Sequence, residues 1–222
     1  MNQSLIIVSF LLLSVLFSGS TMVLAGEGQP SCHAAPAAPP AAETEGTPAG
    51  SVSGLPTALL AEPLDLRNQD GETVTFPQEV LGDRLVAVNF VFTRCSTICP
   101  PMGAAFGRLQ RKLAKRPDLE VDLISVSIDP IHDTPERLTR WADRFGREEG
   151  WTLLTGAKPD IDQVLRAMDA FTPDKFEHAA LLLIGNPETG RWTRIDGLAG
   201  PKETIAALES LKAETVVATA TR

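Results

Sequence analysis

Leu85-Val86-Ala87-Val88-Asn89-Phe90-Val91-Phe92-Thr93-Arg94-Cys95-Ser96-Thr97-Ile98-Cys99-Pro100-Pro101-Met102 decides the fold. Its first eight residues are nearly all apolar, the pattern of a strand buried on both faces inside a parallel sheet. Beyond the cysteines, Met102, Phe106, Leu109 and Leu113 recur at helical spacing, with Arg108, Arg111, Lys112 and Lys115 on the opposite side. Pro117-Asp118 ends that helix, and Leu119 to Ile128 reads as a second strand. Strand, helix and strand form a βαβ unit, whose crossover is right-handed.

Working outward, Leu64 to Arg67 and Thr73 to Phe76 flank the turn-rich Asn68-Gln69-Asp70-Gly71 and predict an N-terminal hairpin. Asp133-Thr134-Pro135-Glu136 predicts a capped helix start, followed by an apolar face of Leu138, Trp141, Ala142 and Phe145. Asp160 opens another helix, with Ile161, Val164, Leu165 and Met168. Ala179 to Ile184 and Trp192 to Ile195 form a second hairpin, and a last helix from Pro201 carries Ile205, Leu208 and Leu211. The sum is an α/β, thioredoxin-like sandwich with an N-terminal hairpin and a central βαβ unit.

The 222 residues allow one ordinary domain plus a leader or tail. Leu5 to Leu24 is uncharged, and Val23-Leu24-Ala25 suits a signal peptidase. Residues 1–25 are therefore expected to be a signal peptide or, at about the length of a bilayer crossing, a membrane anchor. Either reading exports the chain to the periplasm or to the membrane face turned toward it. Residues 26–54, rich in Ala, Pro and Gly, are expected to be a disordered linker, with the domain spanning 55–222. The net charge is −8, and Glu27, Glu43 and Glu45 of the linker supply three of those charges. An acidic chain excludes an electrostatic grip on nucleic acid.

Three cysteines and three histidines bound the chemistry. Cys32-His33 lies in the linker, where no packed element would hold a ligand in place. Cys95 and Cys99 sit where the buried strand meets the helix, at the sheet edge where α/β proteins bind ligands. If the segment coils as one helical turn, the two sulfurs are i,i+4 neighbours facing the same way. They could then close a disulfide or grip one metal ion. A helix N-terminus and the adjacent Arg94 would both favour thiolate. A third ligand could be His132, in the loop after the second strand, or His178, just before the late hairpin. Spacing does not choose between them. Two thiolates plus an imidazole suit Cu(I), and can also hold Cu(II) or Zn(II).

The segments Asn89 to Met102, Val126-Ser127-Ile128-Asp129-Pro130 with Asp133-Thr134-Pro135, and His178 before an apolar strand together resemble the Sco (SenC) family of copper-binding, thioredoxin-fold proteins. The resemblance spans about Leu64 to Leu211. It implies copper ligands at Cys95, Cys99 and His178, passing over His132, with Asp129 supporting the site from behind. It also implies a membrane tether. The implied role is to deliver copper to the dinuclear copper site of cytochrome c oxidase, or to reduce the cysteines of that site. The alternative is a thiol–disulfide oxidoreductase in which Cys95 and Cys99 form a redox-active disulfide and His178 is incidental. A peroxide-reducing relative fits less well, because Cys-x-x-x-Cys is not that chemistry's usual arrangement. The chain carries Glu177 where the family commonly has Asp, and it has no Tyr.

Overall fold

The computed structural model describes residues 50–53 and 62–220, with side chains over 62–213. The leader, Cys32 and His33 lie outside the described residues. Among the described residues, eight strands form one sheet: β1 (Gly50–Ser53), β2 (Leu64–Asn68), β3 (Thr73–Phe76), β4 (Leu85–Val91), β5 (Val121–Ser127), β6 (Trp151–Thr155), β7 (Leu181–Asn186) and β8 (Arg191–Asp196). Their spatial order is β1-β8-β7-β4-β5-β6-β2-β3. The helices are α1 (Gln78–Leu81), α2 (Cys99–Leu113), α3 (Pro135–Asp143), α4 (Lys158–Ala167) and α5 (Pro201–Ala220).

The centre is the expected βαβ unit. β4 pairs in parallel with β5, Val88 opposite Ile124 and Val91 opposite Ser127, and α2 makes the crossover. Every residue of β4 is buried, which explains its unbroken apolar run. The late hairpin β7–β8 joins this core antiparallel through Asn89 opposite Leu182, and the early hairpin β2–β3 closes the other side. The result is the thioredoxin-like α/β sandwich that the sequence pattern predicted.

Two elements depart from the pattern-based expectation. β6, a third parallel strand beside β5, was not anticipated, because five residues after a charged stretch carry too little periodicity to separate strand from loop. Gly50–Ser53, inside the expected linker, pairs antiparallel with β8. A sheet edge offers backbone donors and acceptors to any extended segment, so composition alone misses such a strand.

One layer of the core is aromatic. Trp151 of β6 stands 5.6 Å from Phe106 of α2 and 6.4 Å from Trp141 of α3, and Trp141 meets Phe145 edge-on at 4.9 Å. Both tryptophans are fully buried, and truncating either would cost about 3–5 kcal/mol. Gly103 and Gly107, one turn apart on α2, let Phe145 lie directly on the helix, since a methyl group at either position would overlap it.

A buried polar chain crosses the three parallel strands. Trp151 Nε1 donates to Ser125 Oγ at 2.9 Å, and Ser125 donates to Asn89 Oδ1 at 2.6 Å. It fixes the register of β4, β5 and β6 where side-chain packing alone would tolerate slippage.

Candidate metal centre

The carboxyl ends of β4 and β5 and the start of β7 meet at one sheet edge. β4 ends in a turn, with Cys95 N–H donating to the Phe92 carbonyl at 3.1 Å, and α2 begins at Cys99. Cys95 is thus just ahead of the helix rather than in its first turn, contrary to the helical-turn expectation. Pro100 and Pro101 at the first helical positions lack amide hydrogens, so they cost the helix start nothing. The Cys99 backbone N–H points at Cys95 Sγ, 3.5 Å away, and Thr97 Oγ1 lies 3.5 Å from the same sulfur. Both thiols are free.

The two sulfurs differ in acidity. Partial burial of Cys95 opposes its thiolate, but contacts from Thr97 and Cys99 outweigh that and bring the thiol down from 9.0 to about 7. Cys99 is fully buried; desolvation, reinforced by the neighbouring Cys95, pushes its thiol up to about 12. The sequence suggested thiolate character for the pair and gave Arg94 a share in it. Neither holds: only Cys95 is acidified, and hydrogen bonds do it. Arg94 instead turns its guanidinium toward Asp129 Oδ2, 3.5 Å away.

His178 follows a single 3₁₀ turn, Lys175–Glu177, whose start is capped by Asp174 accepting from the Phe176 N–H at 2.9 Å. Its ring Nε2 lies 2.9 Å from the Phe90 carbonyl, at the end of β4. A carbonyl only accepts, so Nε2 carries the hydrogen and Nδ1 keeps the lone pair. Burial lowers the imidazole pKa, which favours the neutral, ligating form. His178 therefore stands at the same edge as the cysteines. Among the described residues, however, no three Cys, His, Asp or Glu side chains converge as a metal-holding group.

His132 has another job. Its Nδ1 lies 2.9 Å from Asp129 Oδ1. Asp129, 5 % exposed, also receives Lys175 Nζ at 2.5 Å on its other oxygen. It thus links the β5 loop to the cysteine loop through Arg94, and to the His178 segment through Lys175. Four residues on, buried Asp133 accepts from Thr93 N–H at 3.2 Å, Thr93 Oγ1 at 2.6 Å and Ser127 Oγ at 2.7 Å. The expected helix start at Asp133-Thr134-Pro135-Glu136 is present, with Thr134 at the capping position but making no side-chain cap bond. Asp133 is drawn inward because three donors converge there, and it anchors the start of the cysteine loop. Nothing in the spacing pointed to Lys175, Thr93 or Ser127 as parts of this edge.

Two large apolar side chains flank the site in the open, Ile131 at 71 % exposure and Phe176 at 79 %. Phe176 stands edge-on to Phe92 at 6.2 Å, with Lys175 Nζ 5.6 Å from its ring.

The chain as a whole has counterparts among known proteins. The chain is 41% identical over 96 residues to the SCO1 protein homolog of Bacillus subtilis (strain 168), covering 43% of this chain and 48% of that one. It spans about half the length of the curated relatives it matches. Among solved structures it resembles BsSco, described as a member of the Sco family of cytochrome c oxidase assembly proteins with a disulfide switch. That match has a TM-score of 0.58 and 29% identity, over 68% of this chain and 92% of that one. Bradyrhizobium japonicum ScoI, solved with copper bound, matches with a TM-score of 0.55 and 25% identity, over 68% of this chain and 98% of that one. The SCO1/SenC family model matches residues 53–213, the cysteine loop, the Asp129 loop and His178 included, so the chain belongs to the SCO1/SenC family.

Proposed function

We propose that the protein is an exported copper chaperone that holds copper through Cys95, Cys99 and His178 and delivers it to the dinuclear copper site of cytochrome c oxidase. The observation that carries this reading is the thiol pair: two free sulfurs at one helix start, one already poised as thiolate near neutral pH. Soft sulfur ligands suit Cu(I), and the bound cation would offset the desolvation that now keeps Cys99 protonated. His178 supplies a neutral imidazole from the neighbouring segment, and copper-bound ScoI of Bradyrhizobium japonicum supports the choice of metal. Asp129 holds the His178 segment to the cysteine loop through Lys175 and Arg94. The leader, signal peptide or anchor, places the domain on the periplasmic side.

The test is a Cu(I) competition titration of the reduced full chain. One equivalent should bind, and His178→Ala should weaken it by about 100-fold, roughly 3 kcal/mol. Unchanged affinity in that variant would remove His178 from the ligand set. Cys32→Ala with His33→Ala should leave the single equivalent intact.

A second reading has its own observation, the split between a thiol at about 7 and one at about 12. In a thiol–disulfide oxidoreductase the Cys95 thiolate attacks a partner disulfide, forms a mixed disulfide and releases one partner thiolate. Cys99, once deprotonated, attacks the Cys95 sulfur and releases the second. Two electrons pass to the partner, and Cys95–Cys99 is left oxidised. Iodoacetamide at neutral pH should then label Cys95 at least about 1,000-fold faster than Cys99. This reading prevails if His178→Ala keeps full copper affinity while Cys95→Ser or Cys99→Ser abolishes reduction of a partner disulfide.

A further inference from the structure

Beside the cysteine loop runs a groove of about 550 Å³, lined by Thr93, Arg94, Arg137, Arg140, Trp141 and Arg144. Its volume lies within the range of ligand-binding clefts. Arg137, Arg140 and Arg144 follow one another at three- and four-residue spacing, so α3 and its last turn present them as a single stripe. All four arginines are exposed, while Trp141 between them is buried. Four guanidinium groups on one concavity stand out in a chain of net charge −8.

Arg94 leans on Asp129, whereas Arg137, Arg140 and Arg144 make no ion pair among the described residues. Arg137 donates to the His132 carbonyl at 3.0 Å, and Arg144 Nε to the Trp141 carbonyl at 3.4 Å. Arg94 reaches Asp129 only at 3.5 Å. The carboxylate of Glu136, one turn before Arg140, feels the Arg140 charge without forming an ion pair, and Asp143 turns to Arg147 at 3.8 Å.

We propose that this groove receives an acidic stretch of the polypeptide whose cysteines exchange copper or electrons with Cys95. The inference rests on the proposed function, because it names the kind of partner the site serves. Cys95 is the accessible thiol of the pair and Arg94, its chain neighbour, lines the groove, so a chain that brings its own thiols to Cys95 has the groove within reach. An acidic polypeptide satisfies both ends at once: carboxylates for the guanidinium fork geometry, and thiols for the sulfur. An anionic bilayer could meet the guanidinium groups but carries no thiol to exchange with Cys95.

The test uses the full chain and fluorescence anisotropy with a labelled Glu/Ser peptide and its Lys/Ser counterpart. The Glu/Ser peptide should bind and the Lys/Ser peptide should not. Arg140→Glu with Arg144→Glu should weaken binding at least about tenfold, and about 150 mM salt should weaken it in the wild type. Arg140→Gln with Arg144→Gln should give a smaller loss. The equal charge change made outside the groove, Arg108→Glu with Lys112→Glu, should stay within about twofold. Equal losses in the two Glu pairs would overturn the proposal, as would an unchanged affinity in the groove pair. It also fails if phosphatidylglycerol vesicles bind where the peptide does not, or if the arginine stripe proves to be covered by a second copy of the chain. A Cu(I) titration of the same samples separates the two readings: a wild type that binds the peptide without copper sinks the copper reading and keeps the groove, and the reverse keeps copper and removes the groove.

Discussion

Asp129 and Asp133 leave the same loop after β5, four residues apart and both buried, yet their surroundings are opposites. Asp129 faces two cations, Lys175 at 2.5 Å and Arg94 at 3.5 Å, and it is hydrogen-bonded to the imidazole of His132. Burial opposes its charge, but His132 and Lys175 outweigh that and hold its pKa below 3.8. Asp133 faces only neutral donors, Thr93 and Ser127. There burial wins, with the charge of Asp129 adding to it, and the pKa rises above 3.8. One carboxylate ties loops by charge across a half-solvated rim, while the other clamps a backbone amide and two hydroxyls in the interior. Identical side chains thus divide the labour of holding the Cys95 loop and bringing the His178 segment to it.

The largest effect should come from Asp133→Ala, which strips the acceptor from three donors at once. Urea unfolding should show a loss of about 3 kcal/mol that added salt does not restore. Asp129→Ala should cost less, about 1–2 kcal/mol, because Arg94 and His132 are exposed enough for water to replace the carboxylate. Its deficit should shrink in 1 M salt, where exposed charges are screened over about 3 Å. A larger loss at Asp129 than at Asp133 would break the comparison.

Acidity sharpens it further. Asp129, with a lowered folded pKa, contributes stability above its unfolded value near 3.8 and loses it as pH falls through the folded value. Asp133, with a raised folded pKa, contributes below 3.8 and loses that contribution as pH rises through its folded value. The deficit of Asp129→Asn should therefore shrink below about pH 4, and that of Asp133→Asn should shrink above it. Parallel slopes in stability against pH would erase the distinction. The smallest effect belongs to Lys175→Met, at about 0.5–1 kcal/mol by thermal melting, since the ammonium is partly solvated.

The fold was legible wherever burial on both faces wrote an unbroken apolar run, as in β4, or wherever helical spacing was long, as in α2. It was not legible at β6, whose five residues are too short for a period, nor at Gly50–Ser53, where pairing comes from backbone groups that no composition reveals. At the site, Cys95 and Cys99 announced themselves by spacing, and the resemblance singled out His178. The division of acidity between the thiols was hidden, because it depends on which sulfur the Cys99 amide faces. The inward role of Asp133 was hidden because a local Asp-Thr-Pro pattern says nothing of Thr93, forty residues upstream in the chain.

Gly103 and Gly107 leave no side chain between α2 and Phe145, the residue just beyond Arg144. Bare helix backbone against the Phe145 ring at Gly103 and the Phe145 carbonyl at Gly107 has no side chain of its own to absorb a push, so the two move together. A load placed on the arginine stripe would be felt mechanically at the helix whose first residue is Cys99. The proposed docking face and the sulfur pair are thereby joined by stiffness, with Arg111 of α2 also donating to the Phe145 carbonyl at 3.5 Å.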